Sequence, residues 1–256
     1  MPRLGLGSSL TGGGGVVAGY TNLSSVDVSG GIDEYVDCGT GLNTALGTSY
    51  SGDLTVAFWL YHTGGDVQAG FFSICNMGSD TGVFTIRTVS NKMALTLNTE
   101  AWKSELSAGL LSNTTWYHVV AVFDSSDYTA SKLYIDGSAP SQTVTGTFPT
   151  PPLNFVTNAG GAYKTVIGTY YRPADMSPPS LMDEVAVWNV ALDADAITAI
   201  YNSRTPFDLR EDKGDYDNSN SLLGYWRFED NANDSSGNDY HGTLTGGATI
   251  SSSVPS

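Results

Sequence analysis

Residues 112–137, SNTTWYHVVAVFDSSDYTASKLYIDG, decide the fold. From Trp116 to Phe123 both sets of alternating residues are largely apolar and rich in aromatic and β-branched side chains, which is typical of a strand buried on both faces. The short polar residues of 124–127 favour a turn, and a second strand is predicted over 132–135. Asp136-Gly137 then ends that strand with a dipeptide suited to a tight hairpin turn. This stretch predicts the central strands of an antiparallel β-sandwich.

Composition supports an all-β protein. Of the 256 residues, 40% are hydrophobic and only 14% are charged, while 30 are glycine. The hydrophobic fraction is large enough for a sizeable core, and the high glycine and low charge content suit many short strands and turns. Because sandwiches of this length are often undivided, we expect one domain over residues 25–256. Residues 1–24, with four consecutive glycines at 12–15, are predicted to be a flexible arm.

Further strands are expected wherever apolar alternation is bounded by turn-forming residues. One short helix is also expected, because Asp193 stands at an N-cap position and Ile197, Ile200 and Tyr201 recur at helical spacing. The tail after residue 234 is predicted to hold a turn and a final edge strand. The other predicted strands cover residues 25–28, 34–37, 54–61, 70–75, 83–89, 93–97, 164–168, 181–190 and 222–228.

Net charge excludes two classes of partner. The formal net charge is −15 with only 11 lysines and arginines, which argues against nucleic acid and against anionic lipid. The chain has no transmembrane run, and its first residues lack the apolar core of a signal peptide, so no membrane insertion and no cleaved leader are expected. Cys38 and Cys75 are compatible with one disulfide or with two buried thiols.

Five phrases occur in an order and at a spacing that resemble a known family. They are DEYVDCG at 33–39, GDLTVAFWLY at 52–61, TTWYHVVAVFD at 114–124, KLYIDG at 132–137 and LMDEVAVWNVALDADAITAIYN at 181–202. Together they resemble the laminin-G/pentraxin-like branch of the concanavalin A-like lectin/glucanase superfamily. The resemblance implies a jelly roll of two curved antiparallel sheets with one small helix.

The phrase LLGYWRFEDNANDSSGNDYHGTLTGG at 222–247 resembles the opening of such a domain, yet here it closes the chain. Because the first and last strands of this fold are neighbours, a permuted order leaves the sheet intact, and we expect the C-terminal strands to lie beside the first ones. This order, the Gly-rich start and the ending SSSVPS are similar to virion-associated proteins of marine bacteriophages. That likeness implies a place on a virion surface, with an extracellular location as the alternative.

No catalytic residues are expected. Glucanases of this superfamily carry carboxylates at alternate positions of one strand, which places them on the same face, and no such run occurs here. Asp183 and Glu184 are adjacent, so a regular strand would point them to opposite faces. No serine has the setting of a nucleophile elbow, and His118 on a buried strand is more typical of a core residue than of a base.

The resemblance implies a Ca²⁺ site, with Asp183 and Asp33 as its carboxylate ligands, since calcium prefers oxygen ligands on loops that can bend. The alternative is that Asp183 caps a strand end through hydrogen bonds. Ser29-Gly30 followed by Gly31 stands where relatives have an Asp-Gly turn, and this departure removes one candidate ligand.

Aromatic residues in polar loops are the candidates for sugar binding, because sugars pack on aromatic faces beside polar groups. These candidates are Trp102, Tyr170, Tyr171 and Arg172, and the alternative is that they pack beneath their own loops. The other four tryptophans lie on patterned strands and are predicted to be core: Trp59, Trp116, Trp188 and Trp226.

The function predicted from these observations is structural and non-enzymatic. We expect a virion protein, such as a tail, fibre or capsid appendage, that contacts host glycans and other virion proteins. Homo-oligomers are expected, since weak single-sugar sites gain from multivalency. The alternatives are a bacterial carbohydrate-binding lectin module, with or without calcium, and a polysaccharide hydrolase or lyase with an unfamiliar site.

Overall fold

The computed structural model describes residues 20–256 except 32, 63–68, 78–80, 90–91, 98–103, 111–113, 128–129, 147–148, 150, 159–160 and 171–179. Two antiparallel sheets pack face to face, which confirms the predicted all-β jelly-roll sandwich. One sheet has the strand order β17-β1-β14-β3-β8-β9, with β15 also paired to β14, and we call it the front sheet. The other has the order β10-β7-β6-β5-β4-β13-β2-β16, and we call it the back sheet.

The strands and helices have these bounds: β1 Ser25–Asp27, β2 Tyr35–Asp37, α1 Gly41–Leu46, β3 Leu54–His62, β4 Gly70–Asn76, β5 Thr81–Val89, β6 Lys92–Leu97, β7 Ser104–Leu110, β8 Thr115–Phe123, β9 Lys132–Ile135, β10 Gln142–Gly146, β11 Thr157–Asn158, β12 Gly161–Ala162, β13 Lys164–Ile167, β14 Ser180–Trp188, α2 Ala194–Tyr201, β15 Leu222–Trp226, β16 Thr243–Thr245 and β17 Thr249–Ser251. Strands β11 and β12 form a separate two-stranded hairpin.

Strand β8 is buried on both faces, as its sequence predicts. Val119, Ala121 and Phe123 face the interior between the two sheets. Val120 and Val122 face the opposite side, where a second apolar layer forms under α2 and the connection that follows it. The turn after β9 is a two-residue hairpin turn, with reciprocal hydrogen bonds between Ile135 and Ser138. The front sheet therefore lies between two cores, which explains the largely apolar pattern of its central strands.

The last strands of the chain join the first, as expected. Strand β17 pairs antiparallel with β1, so that Ile250 lies opposite Val26. Strand β15 pairs with β14, where Trp226 lies opposite Val185. Strands β15 and β17 are thus an integral part of the front sheet and of its edge, whereas β16 pairs with β2 in the back sheet.

The helix begins where the sequence places it, because Asp193 Oδ1 accepts a hydrogen bond from Ala196 N at 2.8 Å. The six-residue helix α1 and the strands β7, β10, β11 and β12 were not predicted. Cys38 and Cys75 are both free and buried, so the thiol alternative is correct. The four strand tryptophans are buried, as predicted. No helix in the described ranges is long and apolar enough to cross a membrane.

Candidate functional site

The site begins at an irregularity in the middle of β14. Strand β1 pairs with residues 181–182 of β14, and β15 pairs with residues 185–188 on the same edge. Asp183 and Glu184 lie between the ends of these two partner strands. On the other edge, β14 bulges against β3, and Glu184 adopts a left-handed φ of 49°. The bulge interrupts the regular alternation, so the prediction that the two carboxylates point to opposite faces does not hold, and both belong to one buried cluster.

The buried charge cluster comprises Asp183, Glu184, Tyr225 and Arg227. The Tyr225 hydroxyl donates to the carboxylate of Glu184. Arg227 Nε lies 3.4 Å from Glu184 Oε1. Asp183 Oδ1 accepts from Glu184 N at 2.8 Å. The side chain of Glu184 is only 2% exposed, so its carboxylate depends on these donors and not on water.

Burial sets the protonation of this cluster. It raises the pKa of Glu184 to about 7, although the Tyr225 hydrogen bond and the Arg227 guanidinium act in the opposite direction. Burial also raises the pKa of Asp183, and the neighbouring Glu184 charge adds to that effect. The two acids therefore take up protons at higher pH than free carboxyl groups do.

The chain before β1 is tied to this cluster. Arg227 Nη2 donates to Thr21 O at 2.5 Å. The Arg227 guanidinium also lies over the ring of Tyr20, 4.6 Å from its centroid. Asn22 Nδ2 donates to Asp183 Oδ2 at 2.9 Å, and Leu23 N donates to the Glu229 carboxylate at 3.0 Å. Residues 20–23 are thus held beside β15 by charged groups from the far end of the chain.

The loop after β15 is organised by Asp234. Its Oδ1 accepts from Tyr225 N at 2.9 Å and from Ser236 N at 2.9 Å. Its Oδ2 accepts from Tyr240 N at 3.0 Å and from the Ser236 hydroxyl at 2.8 Å. Asn231 Oδ1 accepts from Asn233 N at 2.8 Å within the same loop. These bonds fix the backbone around a polar depression.

That depression is a cavity of about 110 Å³, which we call the Arg227 pocket. Arg227 and Glu229 are partly buried, whereas Asp230, Asn231 and Asn233 are exposed. The pocket presents carboxylate acceptors beside amide groups that both donate and accept, a set that suits the hydroxyl groups of a small polar ligand. The described residues that line it are Arg227, Phe228, Glu229, Asp230, Asn231, Asn233 and Ser235.

A second, smaller cavity of about 10 Å³ lies under α2 and is lined in part by Trp59, His118 and Glu184. The ring of His118 lies 4.9 Å from that of Trp59 and stacks 6.0 Å from that of Tyr201. Burial lowers the pKa of His118 to about 3, so its imidazole is neutral at physiological pH. This agrees with the sequence interpretation of His118 as a core residue.

Of the predicted glycan-binding residues, the structure describes Tyr170 alone. Tyr170 is fully buried and packs with Cys75 and Val166, so its ring lies in the interior and not on an open rim. Trp102, Tyr171 and Arg172 lie outside the described residues, and their role stays a prediction.

The two predicted calcium ligands lie in different parts of the sandwich. Asp33 is exposed in the turn before β2 of the back sheet, whereas Asp183 is fully buried in the front sheet. Asp183 already accepts hydrogen bonds from Asn22 and Glu184, and calcium needs six to eight oxygen ligands. Within the described ranges, no group of three or more acidic, histidine or cysteine side chains lies close enough to hold a metal. The described neighbours of Asp183 do not supply a calcium cage, and this site stays a prediction.

Sequence reasoning missed the residues of the Arg227 pocket. One signal was present, because Arg227 directly follows the apolar residues of β15 and is itself followed by the acidic and amide residues 229–233. An arginine at the end of a buried strand needs an acidic partner, and Arg227 has two, the nearby Glu229 and the buried Glu184. Glu184 lies 43 residues away in the sequence, so that pairing could not be found from local spacing.

Comparison with known proteins agrees with this architecture. The laminin-G-type family model of the concanavalin A-like lectin/glucanases superfamily matches residues 30–198, which is more than half of the chain. Comparison with curated protein sequences finds no match.

Two solved structures share the fold. One is a Bacteroides ovatus protein whose suggested role is carbohydrate binding, with a TM-score of 0.59 and 15% identity over 92% of this chain and 62% of that one. The chain therefore spans less than two thirds of that protein. The other is the heptameric SAP-like pentraxin of Limulus polyphemus, with a TM-score of 0.51 and 15% identity over 91% of this chain and 96% of that one.

Proposed function

Because this chain belongs to the concanavalin A-like lectin/glucanases superfamily, we propose that it is a non-enzymatic domain that binds glycans through the Arg227 pocket. The observation that carries this proposal is the pocket itself, a cavity of about 110 Å³ with acceptors and donors around it. Sugar hydroxyls both donate and accept, so they are matched by carboxylate and amide side chains placed side by side. The likeness to a solved structure whose suggested role is carbohydrate binding supports the same ligand class.

The ligand expected in this pocket is an uncharged glycan. Among the seven described residues that line the pocket, Arg227 is the one cation. Its guanidinium already donates to Thr21 O and lies beside the carboxylates of Glu184 and Glu229. Its charge is therefore matched inside the protein and is not free for a sulfate or a uronate. The net charge of −15 also repels polyanionic polysaccharides.

Replacing Asp230 and Asn233 together with alanine is expected to weaken glycan binding at least tenfold, which corresponds to about 1.4 kcal/mol. Both side chains are exposed on the pocket rim. The measurement is a glycan array with neutral and anionic sugars, followed by calorimetric titration of the best neutral ligand. The matched control is Asp217→Ala with Asn220→Ala, which removes the same residue types from an exposed connection outside the pocket.

A second experiment distinguishes binding in this pocket from binding at the predicted loop site around Trp102. Trp102→Ala is expected to leave the affinity unchanged if the Arg227 pocket holds the sugar, and to abolish binding if Trp102 is the platform. Repeating the titration with EDTA tests the predicted calcium requirement. Absence of binding to every neutral glycan, or tight binding only to anionic ones, contradicts the proposal.

Several contacts support a role without catalysis. Glu184, the carboxyl group whose pKa is raised to about 7, is buried behind Arg227 and does not line the pocket. A general acid must reach the glycosidic oxygen of its substrate, and Glu184 has no such access here. Release of reducing sugar from a bound polysaccharide, lost in Glu229→Gln, is the result that favours the hydrolase alternative.

We propose that the domain lies on the surface of a bacteriophage particle. There the N-terminal arm contacts neighbouring virion proteins and the sandwich contacts host glycans. The alternative is a bacterial lectin module, which the likeness to a Bacteroides ovatus protein favours. Tail or capsid genes on both sides of the coding gene support the virion role. Flanking genes for polysaccharide utilisation support the lectin module.

A further inference from the structure

In the part of the chain that the structure describes, the back sheet ends in a strand that pairs on one side only. Strand β10 is the last in the sheet order, and among the described residues it pairs with β7 alone. Residues 143–146 of this strand are exposed, and Val144 is 44% exposed. Unpaired backbone N–H and C=O groups along such an edge are a template for another strand.

The edge lacks the charged residues that usually protect it. Residues 137–163 contain no aspartate, glutamate, lysine, arginine or histidine, in a chain with 37 charged residues. On the neighbouring strand, the residues paired with Gln142, Val144 and Gly146 are also uncharged, namely Ala108, Leu106 and Ser104. Glu105 pairs with Thr145. Natural edges are commonly blocked by lysine or by inward-pointing charge, and β10 has neither.

The uncharged edge points to a second copy of this chain as the partner. Two molecules of net charge −15 repel each other, so contact between copies requires a surface that brings no carboxylates together. The three central residues of β10, Thr143-Val144-Thr145, are also symmetric about Val144. In an antiparallel pair centred there, Val144 lies opposite Val144 of the other copy, and Thr143 lies opposite Thr145.

Side-chain direction favours the same arrangement. Gln142 Oε1 accepts a hydrogen bond from Leu133 N of β9 at 2.8 Å, so its side chain turns toward the front sheet. Val144 shares that face because side chains alternate with a period of two. Val144 is 44% exposed on this edge strand, where a second β10 covers it.

From these observations we propose that the protein forms a symmetric dimer through antiparallel pairing of β10 with β10 of a second copy, centred on Val144. The pairing joins two back sheets into one continuous sheet, so that each dimer carries two Arg227 pockets. The contact is a five-residue strand edge, so the dimer is expected to depend on concentration. This proposal does not depend on glycan binding.

Sedimentation equilibrium over a series of concentrations tests the dimer. The wild-type mass is expected to rise toward twice 27.0 kDa, and Val144→Lys, which places two lysines opposite each other, is expected to weaken association at least tenfold. Thr145→Lys is expected to weaken it as well. The matched control Thr249→Lys, on the exposed edge of the front sheet, is expected to dimerise as the wild type does. A monomer at all concentrations, or a dimer unchanged by both β10 substitutions, overturns the proposal.

A cysteine scan tests the register. Residues directly opposite in an antiparallel pair have Cα atoms about 4.5–5.5 Å apart, which lies within disulfide range. Val144→Cys is expected to give a disulfide-linked dimer under mild oxidation, whereas Thr145→Cys and Thr249→Cys are not. The native thiols Cys38 and Cys75 are buried and do not interfere. No link at position 144, or equal linking at all three positions, contradicts pairing centred on Val144.

Discussion

Replacing Trp226 with alanine is expected to lower the free energy of unfolding by about 3–5 kcal/mol. Trp226 is fully buried in the core between the two sheets. Its indole N–H donates to Tyr240 O at 2.9 Å, and a Cβ on Gly224 would come within 2.7 Å of its ring. The substitution leaves a large cavity and an unpaired carbonyl, in a domain whose total stability is expected to be about 5–15 kcal/mol.

Urea unfolding followed by circular dichroism measures this loss. Trp226→Phe is the matched control, because it keeps most of the ring volume and removes the hydrogen bond, which contributes about 1 kcal/mol. We expect the phenylalanine variant to fall between the wild type and the alanine variant. A loss below about 1 kcal/mol in Trp226→Ala is inconsistent with a buried tryptophan and with β15 as an integral strand.

The sequence predicted the elements that carry strong local patterns. Strand β8 and the turn at Asp136-Gly137 were predicted because two apolar faces and a turn dipeptide are local signals. The N-cap at Asp193 is another local signal, and the structure confirms it. Strand β10 was missed because its five residues, Gln-Thr-Val-Thr-Gly, carry one apolar side chain and no bounding pattern. Such an edge strand forms by pairing with β7, a partner found only in three dimensions.

The candidate site was harder to predict from the sequence, because its contacts join distant segments. Leu23 and Glu229 are 206 residues apart, and Asn22 and Asp183 are 161 apart. The bulge at Glu184 lies where β1 and β15 end on the same edge of β14. Local alternation therefore gave the wrong relation between Asp183 and Glu184, since the position of the bulge depends on two strands from opposite ends of the chain.

The dependence of stability on pH is expected to be governed by two buried groups with opposite effects. The pKa of Glu184 is raised to about 7 by burial, against an ordinary value of 4.5. The folded state therefore binds this proton more tightly than the unfolded state, and stability increases as pH falls from 7 toward 4.5. The pKa of His118 is lowered to about 3 by burial, against 6.5. The unfolded state protonates first in this case, so stability decreases as pH falls from 6.5 toward 3.

Single substitutions separate these effects. Between pH 8 and pH 5, protonation of Glu184 is expected to stabilise the fold by about 2–3 kcal/mol, and protonation of His118 in the unfolded state to destabilise it by about 2 kcal/mol. Relative to the wild type, Glu184→Gln loses the first contribution, so its stability falls on acidification. His118→Phe loses the second, so its stability rises more steeply on acidification. Urea unfolding at pH 8 and at pH 5 measures the change in the free energy of unfolding for each protein.

The change in stability between pH 8 and pH 5 is compared between each variant and the wild type, because other groups titrate as well. The pKa of Asp183 is raised by burial, and that of Asp208 is lowered beside Arg210, so both contribute to the wild-type profile. Those contributions are largely common to the wild type and His118→Phe, whereas Glu184→Gln also removes the carboxylate that faces Asp183. His118→Phe is therefore the cleaner of the two variants. If its pH 8 to pH 5 difference equals that of the wild type, His118 is not held neutral by burial, and the cavity under α2 is open to water.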